Sequence, residues 1–381
     1  MDFSFTEEQS MLRDTVASFL ADRYDFDTRR AIARSEAGWR PDLWKAFASD
    51  LGILGAPFPE ALGGLGGGAV ETMIVMEAFG RALVIEPYVE TVVLAGGFLK
   101  HSGYAAAAEL IGKIIAGEAV TAFAYAEPQA RYNWADLKTV ARKKGAGYLL
   151  NGHKAVVTGA PWTDRLIVTA RTAGGQRELL GVSVFLVDKA ASGVTTRDYP
   201  TVDGRRASEV YFENVSLPAE ALLGEADHGL ALVERVIDEA TAASLAEAMG
   251  VLAKLHENTL EYTKQRKQFG QPIGAFQVLQ HRMVDMFIAV EQATSITYMA
   301  TLKLGEADRD RAMAVSAAKA YVGKALRFVG QNAIQLHGGM GMTDEMAIGH
   351  YFKRATVLDG LFGSTDHHLR RYEALTFDSA A

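Results

Sequence analysis

From about Ala119 the chain carries successive short runs: TAFAYAE, KTVARKK, YLLNGHKAVVTG, RLIVTAR, LLGVSVFLVD, GVTTRDY and SEVYFENV. All are rich in β-branched and aromatic residues and bounded by turn residues, the pattern of strands. No helix-period stretch separates them. Parallel strands need crossover helices, so strands that follow one another directly require an antiparallel sheet rather than a doubly wound one. Asn151-Gly152 reads as a hairpin turn within this region.

Both flanks are helical. On the N-terminal side, Thr6 and Gln9 form a capping box before MLRDTVASFLADR, with Glu7 and Glu8 in the first turn. Pro41 marks a helix start and Gly52 a stop. Another helix begins near Ala69 and carries ETMIVMEAFGRAL. After Pro218, periodic apolar stripes run over 227–265, 275–305 and 309–337, with Gly305 and Gly338 at ends. The expected fold is therefore α+β and multidomain. It has an N-terminal helical domain (1–118), a middle antiparallel β-domain (119–222) and a C-terminal four-helix bundle (223–381). Long alanine-rich helices of this kind also serve oligomer contacts.

Composition narrows the function. At 381 residues and 49% hydrophobic, the chain can bury a large core. Its net charge of −7 contains no basic block, so the footprint of a nucleic-acid binder is missing. With no cysteine there is neither a disulfide nor a thiolate nucleophile, which fits a reducing compartment. The start, MDFSFTEEQSMLRD, is too acidic for a signal or transit peptide, and no apolar run is long enough to span a bilayer. The expectation is a cytoplasmic protein with no membrane partner.

Four stretches invite a chemical reading. GGLGGG at Gly63–Gly68 follows no strand run and precedes no Lys-Ser/Thr, so phosphate-loop readings fail on context. His367 and His368 point about 100° apart on a helix and lack a supporting ligand pair, so no metal is expected. RKQFGQPIGAFQVLQHR (266–282) sets Arg266, then Phe269 with a turn, then Gln277 at a new helix. AIQLHGGMGMTDE (333–345) ends a helix in paired glycines that let backbone approach a ligand, with Gln335 as an amide donor beside them.

Taken together, these stretches resemble the acyl-CoA dehydrogenase family of flavoenzymes over essentially the whole chain. The matching motifs are Arg266-x-x-Phe269-Gly270 with Phe276-Gln277, and Gln335-x-x-Gly338-Gly339-x-Gly341. AYAEPQA, NGHKAVVTGA, YFENVSLPAEALLGE and PEALGGLG add to them. MDFSFTEEQ, ADRYDFDTRR and GGGAVETMIVMEAFGRALVIEPYVETVVLAGG resemble the small subunits of pimeloyl-CoA dehydrogenases in that family. The resemblance implies FAD, an acyl-CoA substrate, electron-transfer flavoprotein as acceptor, and α,β-dehydrogenation. It implies a homodimer or homotetramer, or a heterotetramer with a homologous large subunit. By position, Thr158 would sit near flavin N5, and the backbone of Tyr125 and Ala126 at the flavin's polar edge. Arg266, Phe269, Gln277, Gln335, Gly338 and Gly339 would hold the dinucleotide across a subunit boundary. Gly363 and Ser364 would contact the cofactor region.

The sequence departs from the family where the chemistry lies. The family's Tyr-Glu-Gly-Thr-Ser base loop reads Leu361, Phe362, Gly363, Ser364, Thr365, and phenylalanine accepts no proton. A second base position, on the first bundle helix, falls at the equally inert Ala240. Glu247 lies seven residues further on, about two turns and roughly 10 Å along the same face. Alanines, Ser244 and Gly250 surround it, which leaves room for a thioester and makes an apolar setting that raises a carboxylate's pKa toward a useful base. Glu247 is the candidate base. The alternatives are Glu239, a protomer without a base, and a Glu247 that is solvated or ion-paired, with Lys254 or Arg266 as partner. Arg81 is the candidate cation for a distal substrate carboxylate, and Phe362 a wall of the acyl pocket. The family's Ala-Gly-Ser-Asp is Ala130, Arg131, Tyr132, Asn133, which removes a serine used toward CoA. Its Arg-Asp before the base loop reads Lys353-Arg354. A silent subunit supporting a homologous partner is the competing functional class, and an oxidase a further one.

Overall fold

A computed structural model describes residues 5–377; Met1–Ser4, the start of one matched segment, lie outside them. Helices come first: α1 (Glu7–Arg23), α2 (Phe26–Arg34), α3 (Pro41–Ser49), α4 (Ala69–Ala82), α5 (Gly96–His101) and α6 (Ala107–Ile115). The strands follow: β1 (Thr121–Ala124), β2 (Val140–Lys144), β3 (Gly147–Thr158), β4 (Arg165–Arg171), β5 (Val182–Asp188), β6 (Val194–Pro200), β7 (Arg206–Leu217) and β8 (Leu222–Leu223). Then come α7 (Gly229–Gln265), the small hairpin β9 (Lys267–Gln268) and β10 (Gln271–Pro272), α8 (Gln277–Leu302), α9 (Asp308–His337), α10 (Ala347–Gly360) and α11 (Thr365–Phe377). The expected capping box is made: Thr6 Oγ1 accepts from the Gln9 N–H at 3.2 Å, and Gln9 Oε1 from the Thr6 N–H at 3.1 Å.

The chain divides into two compact units. Among the described residues, one is helical: those through Ala31, then Ala69–Val84, then those from Thr241 onward. Its core gathers Leu252 and Leu255 of α7, Met286 of α8, Val322 and Val329 of α9, and Leu358 of α10. α11 packs on α9 beside them. Small residues set how closely α4 and α7 cross. A Cβ on Gly250 would lie 2.1 Å from the Glu77 carbonyl oxygen. Gly250, expected to leave room for a thioester, therefore makes room for a neighbouring helix instead.

The other unit, Ile32–Gly68 and Ile85–Ala240, holds the sheet in the order β6-β7-β3-β2-β4-β5-β8. Neighbours are mostly antiparallel, as expected. The exceptions are β1, which pairs with β4 in parallel, and the Val140↔Arg171 pairing of β2 with β4. Leu150, Leu166, Val168, Phe185, Val187 and Val210 fill its core. The hairpin expected at Asn151-Gly152 is absent. β3 runs straight through this pair, with a register shift between Leu150 and Gly152. Glycine is needed there because a Cβ would lie 2.6 Å from the Thr139 Cα, while the Asn151 side chain accepts from the Asn214 N–H at 2.8 Å. The chain turns instead at Gly145, in the left-handed region at φ +59.

Candidate functional site

Glu247 is completely buried, on the stretch of α7 that belongs to the helical unit. Its surroundings are not purely apolar. Arg354 of α10, only 4% exposed, reaches it with a fork. Nε donates to Oε1 and Nη2 to Oε2, both at 2.7 Å. Glu247 is thus ion-paired, with neither partner expected from the sequence: Lys254 lies 3.5 Å from Glu257 instead, and Arg266 is exposed beyond the end of α7. The sequence signal was the basic residue at 354 where the family carries an acid. Ala240 is buried and inert. Glu239 belongs to the sheet unit, where His101 lies at 2.8 Å, Lys100 at 3.5 Å and Arg235 at 3.7 Å. Burial alone would raise its pKa, but these partners outweigh burial and hold it below the usual range.

The loop after α10 is tightly held. Phe362 is 3% exposed and adopts φ +58, a strained value for a bulky residue. Its carbonyl accepts from His368 Nε2 at 3.2 Å, and His368 Nδ1 meets the Ser316 hydroxyl at 3.3 Å. Burial, helped by Lys319, His367 and Arg371, pushes the His368 pKa down to about 2. The ring is therefore neutral, with Nε2 protonated and Nδ1 accepting. Gly363 (φ +128) leaves room for both imidazoles: a Cβ there would lie 2.5 Å from His368 Nε2. Below the loop, buried Lys319 donates to the carbonyls of Leu358 (2.5 Å) and Asp359 (3.0 Å), capping α10.

Arg81 is not deep in an apolar pocket. Its side chain is 41% exposed, and its Nη2 donates to both carboxylate oxygens of Glu257, at 2.8 and 2.9 Å. It lines a cavity of about 610 Å³ in the helical unit, together with Arg13, Glu77, Lys254 and Tyr351. Its backbone carbonyl accepts from the Tyr351 hydroxyl.

In the sheet unit, buried Lys154 supports the Tyr125–Glu127 segment. Nζ donates to the Tyr125 carbonyl (3.3 Å), Glu127 Oε1 (2.8 Å) and Thr169 Oγ1 (3.0 Å). The Ala126 carbonyl accepts from the Ala155 N–H at 2.8 Å. Burial lowers Lys154 to about 8 against the pull of Glu127. Thr158 pairs with Ala207 just past a register shift between Lys154 and Val157. Val156 sits in that bulge at φ +51, and bulges re-aim neighbouring side chains.

The remaining expected residues share the helical unit. Phe269 (φ +53) and Gly270 (φ +80) form the two-residue turn between β9 and β10, and Phe269 is 93% exposed. Gln277 opens α8, and Gln335 is exposed near the end of α9. Gly338 needs a glycine at φ +58, whereas a Cβ on Gly339 would meet nothing within 4 Å. An exposed guanidinium, two amides, bare glycine backbone and an uncovered aromatic ring make a donor set that fits a dinucleotide's pyrophosphate and base.

Family models described as the N-terminal, middle and C-terminal domains of acyl-CoA dehydrogenase match residues 6–118, 122–215 and 227–374. Subunit CarC of the caffeyl-CoA reductase–Etf complex of Acetobacterium woodii is 30% identical, covering 93% of this chain and 94% of its own. The ChsE4–ChsE5 complex of Mycobacterium tuberculosis aligns with a TM-score of 0.88 at 27% identity, covering 99% of each chain. PigA, solved as an FAD complex, aligns with a TM-score of 0.90 at 27% identity over 100% of both chains. The chain belongs to the acyl-CoA dehydrogenase family, whose members use FAD to dehydrogenate acyl-CoA thioesters, and it is an enzyme of that kind.

Proposed function

We propose that Glu247 takes the α-proton of the acyl-CoA thioester. The observation that carries this reading is its complete burial on α7 while both positions used for the base elsewhere in the family, Ala240 and Phe362, hold side chains that accept no proton. A carboxylate has about four lone-pair sites, more than the two that the fork from Arg354 takes up. Bound FAD supplies the acceptor for the hydrogen that leaves the β-carbon with its bonding pair. The backbone at Tyr125 and Ala126, propped by Lys154, and the Thr158 hydroxyl would hold the flavin's polar edge. Arg266, Phe269, Gln277, Gln335, Gly338 and Gly339 would hold the dinucleotide. Gly363 and Ser364 would border the cofactor, and Phe362 would shape the acyl pocket.

The resemblance to small subunits of pimeloyl-CoA dehydrogenases supports a dicarboxylyl-CoA substrate. Arg81 would bind the distal carboxylate only by exchanging it for Glu257. An assembly of several subunits is supported by the exposed Phe269 and by the row Val284, Phe287 and Ile288 left uncovered on α8. A homologous second subunit has a parallel in ChsE4–ChsE5, and an electron-transfer flavoprotein acceptor has one in the Etf complex that contains CarC. No described helix is long and apolar enough to cross a membrane.

One observation favours a second reading, the catalytically silent subunit: both oxygens of Glu247 are already engaged by Arg354. The purified FAD-loaded chain, mixed anaerobically with a panel of acyl-CoAs and dicarboxylyl-CoAs, separates the two. Bleaching of the flavin, fastest with a dicarboxylyl-CoA, is expected. An unchanged spectrum that bleaches only after a homologous partner is added supports the silent subunit.

A further inference from the structure

Arg354 belongs to no expected site, yet it is the cation forked to the proposed base. It is buried, it sits on a different helix, and it meets both oxygens of Glu247 at 2.7 Å. We infer that Arg354 is a positioning residue for the dehydrogenation, holding Glu247 ionised and in one orientation for attack on the α-hydrogen. This rests on the reading of Glu247 as the base.

Three physical points carry it. First, a fully buried carboxylate without a counter-ion takes up a proton rather than stay charged, and a protonated Glu247 is no base. Second, the counter-ion has to be an arginine. A lysine could pass its own proton to the carboxylate, whereas a guanidinium does not deprotonate in proteins. The fork also fixes both oxygens, which a point charge does not.

Third, the helix that presents Arg354 is itself anchored. One turn before Arg354, the Tyr351 hydroxyl donates to the carbonyl of Arg81 at the end of α4. After Arg354, Lys319 of α9 caps the last carbonyls of α10. Gly80 of α4 packs on the Glu247 peptide: a Cβ there would lie 2.0 Å from the carbonyl oxygen. Glu247 is thus fixed through its backbone by α4 and through its side chain by α10. Proton abstraction needs a near-attack geometry, and a rigid carboxylate supplies it without ordering the side chain at each turnover.

The test uses the FAD-loaded enzyme with Arg354→Lys, Glu247→Asp and Glu247→Gln. Three quantities are read for each: the anaerobic flavin-reduction rate at saturating acyl-CoA, the apparent substrate affinity, and exchange of the acyl α-protons into D2O. Arg354→Lys keeps the charge but loses the fork, and Glu247→Asp retracts the carboxylate from it. Each is expected to slow reduction and α-exchange about a hundredfold, the usual consequence of misplacing a reacting group by about 1 Å. Substrate affinity should change little, whereas the melting temperature falls with the weakened buried pair. Wild-type reduction and exchange rates in both variants overturn the positioning role. Should Arg354→Lys fail to fold, Glu247→Asp decides alone. Glu247→Gln keeps the two readings apart. If it reduces flavin normally, the base assignment has failed. If it is inactive while the other two are fully active, only the role of Arg354 has failed.

Discussion

Gly80 of α4 packs directly on the peptide carbonyl of Glu247 on α7, with no space for even a methyl group between them. The obstacle is backbone, which cannot swing aside. Gly80→Ala should therefore force the helices apart and destabilise the protein by about 1–3 kcal/mol. Gly112→Ala gives the opposite expectation. Gly112 lies in α6 with nothing within 4 Å of its Cβ, and alanine is the better helix former by about 1 kcal/mol. Paired thermal melts check both signs; equal shifts for the two variants would contradict the close crossing.

The Glu247–Arg354 pair has an energetic signature separate from its chemistry. Removing one partner leaves a buried charge alone, a loss of roughly 3–5 kcal/mol. Arg354→Gln should therefore melt well below wild type. Adding Glu247→Gln to it should recover most of the loss, since the double variant leaves no buried charge unpaired. A double variant no more stable than Arg354→Gln would show that the single change acts through packing alone.

His368 makes stability depend on pH. Its pKa is depressed from 6.5 to about 2 by burial and neighbouring cations, so below pH 6.5 the unfolded chain binds a proton that the folded chain refuses. Stability is then greatest above pH 6.5 from this group and falls as the pH drops through the window between 6.5 and 2. The slope is at most about 1.4 kcal/mol per pH unit. Urea midpoints at pH 7 and pH 5 should converge for His368→Gln relative to wild type. An unaltered pH slope in the variant would count against the assignment.

Phe269 spends a strained backbone and 93% exposure on a ring that touches little of its own protomer beyond Phe276, 6.2 Å away edge to face. Phe269→Ala should leave the secondary structure of the protomer intact, yet weaken FAD retention and subunit association by roughly tenfold or more, as loss of a buried aromatic anchor does. Cofactor content after gel filtration and sedimentation velocity measure both. Loss of helicity with FAD retained is the contrary outcome.

What could be read from the sequence followed the range of the interactions. The capping box at Thr6, the start of α3 at Pro41 and the strand runs depend on residues a few positions apart, and they appear where the pattern puts them. Asn151-Gly152 misled because the same dipeptide serves a turn and a bulge, and the approach of the Thr139 backbone, which selects the bulge, is a tertiary fact. The motif at Arg266 and the glycines after Gln335 stood out because each gathers, in a short span, the residue types that the proposed cofactor contact needs. The partner of Glu247 was not visible. Arg354 lies 107 positions away on another helix, and only a departure from the family's acidic residue hinted at it. The small residues around Glu247 were read as room for substrate, when Gly250 gives its space to α4.

The most direct measurement is stopped-flow flavin reduction under anaerobic conditions, comparing wild type with Glu247→Gln at saturating acyl-CoA and equal FAD loading. The account predicts substrate binding by both and a loss of about three orders of magnitude or more in the variant's reduction rate, as for removal of a general base with no substitute in reach. Reduction of the Glu247→Gln flavin at the wild-type rate would contradict it.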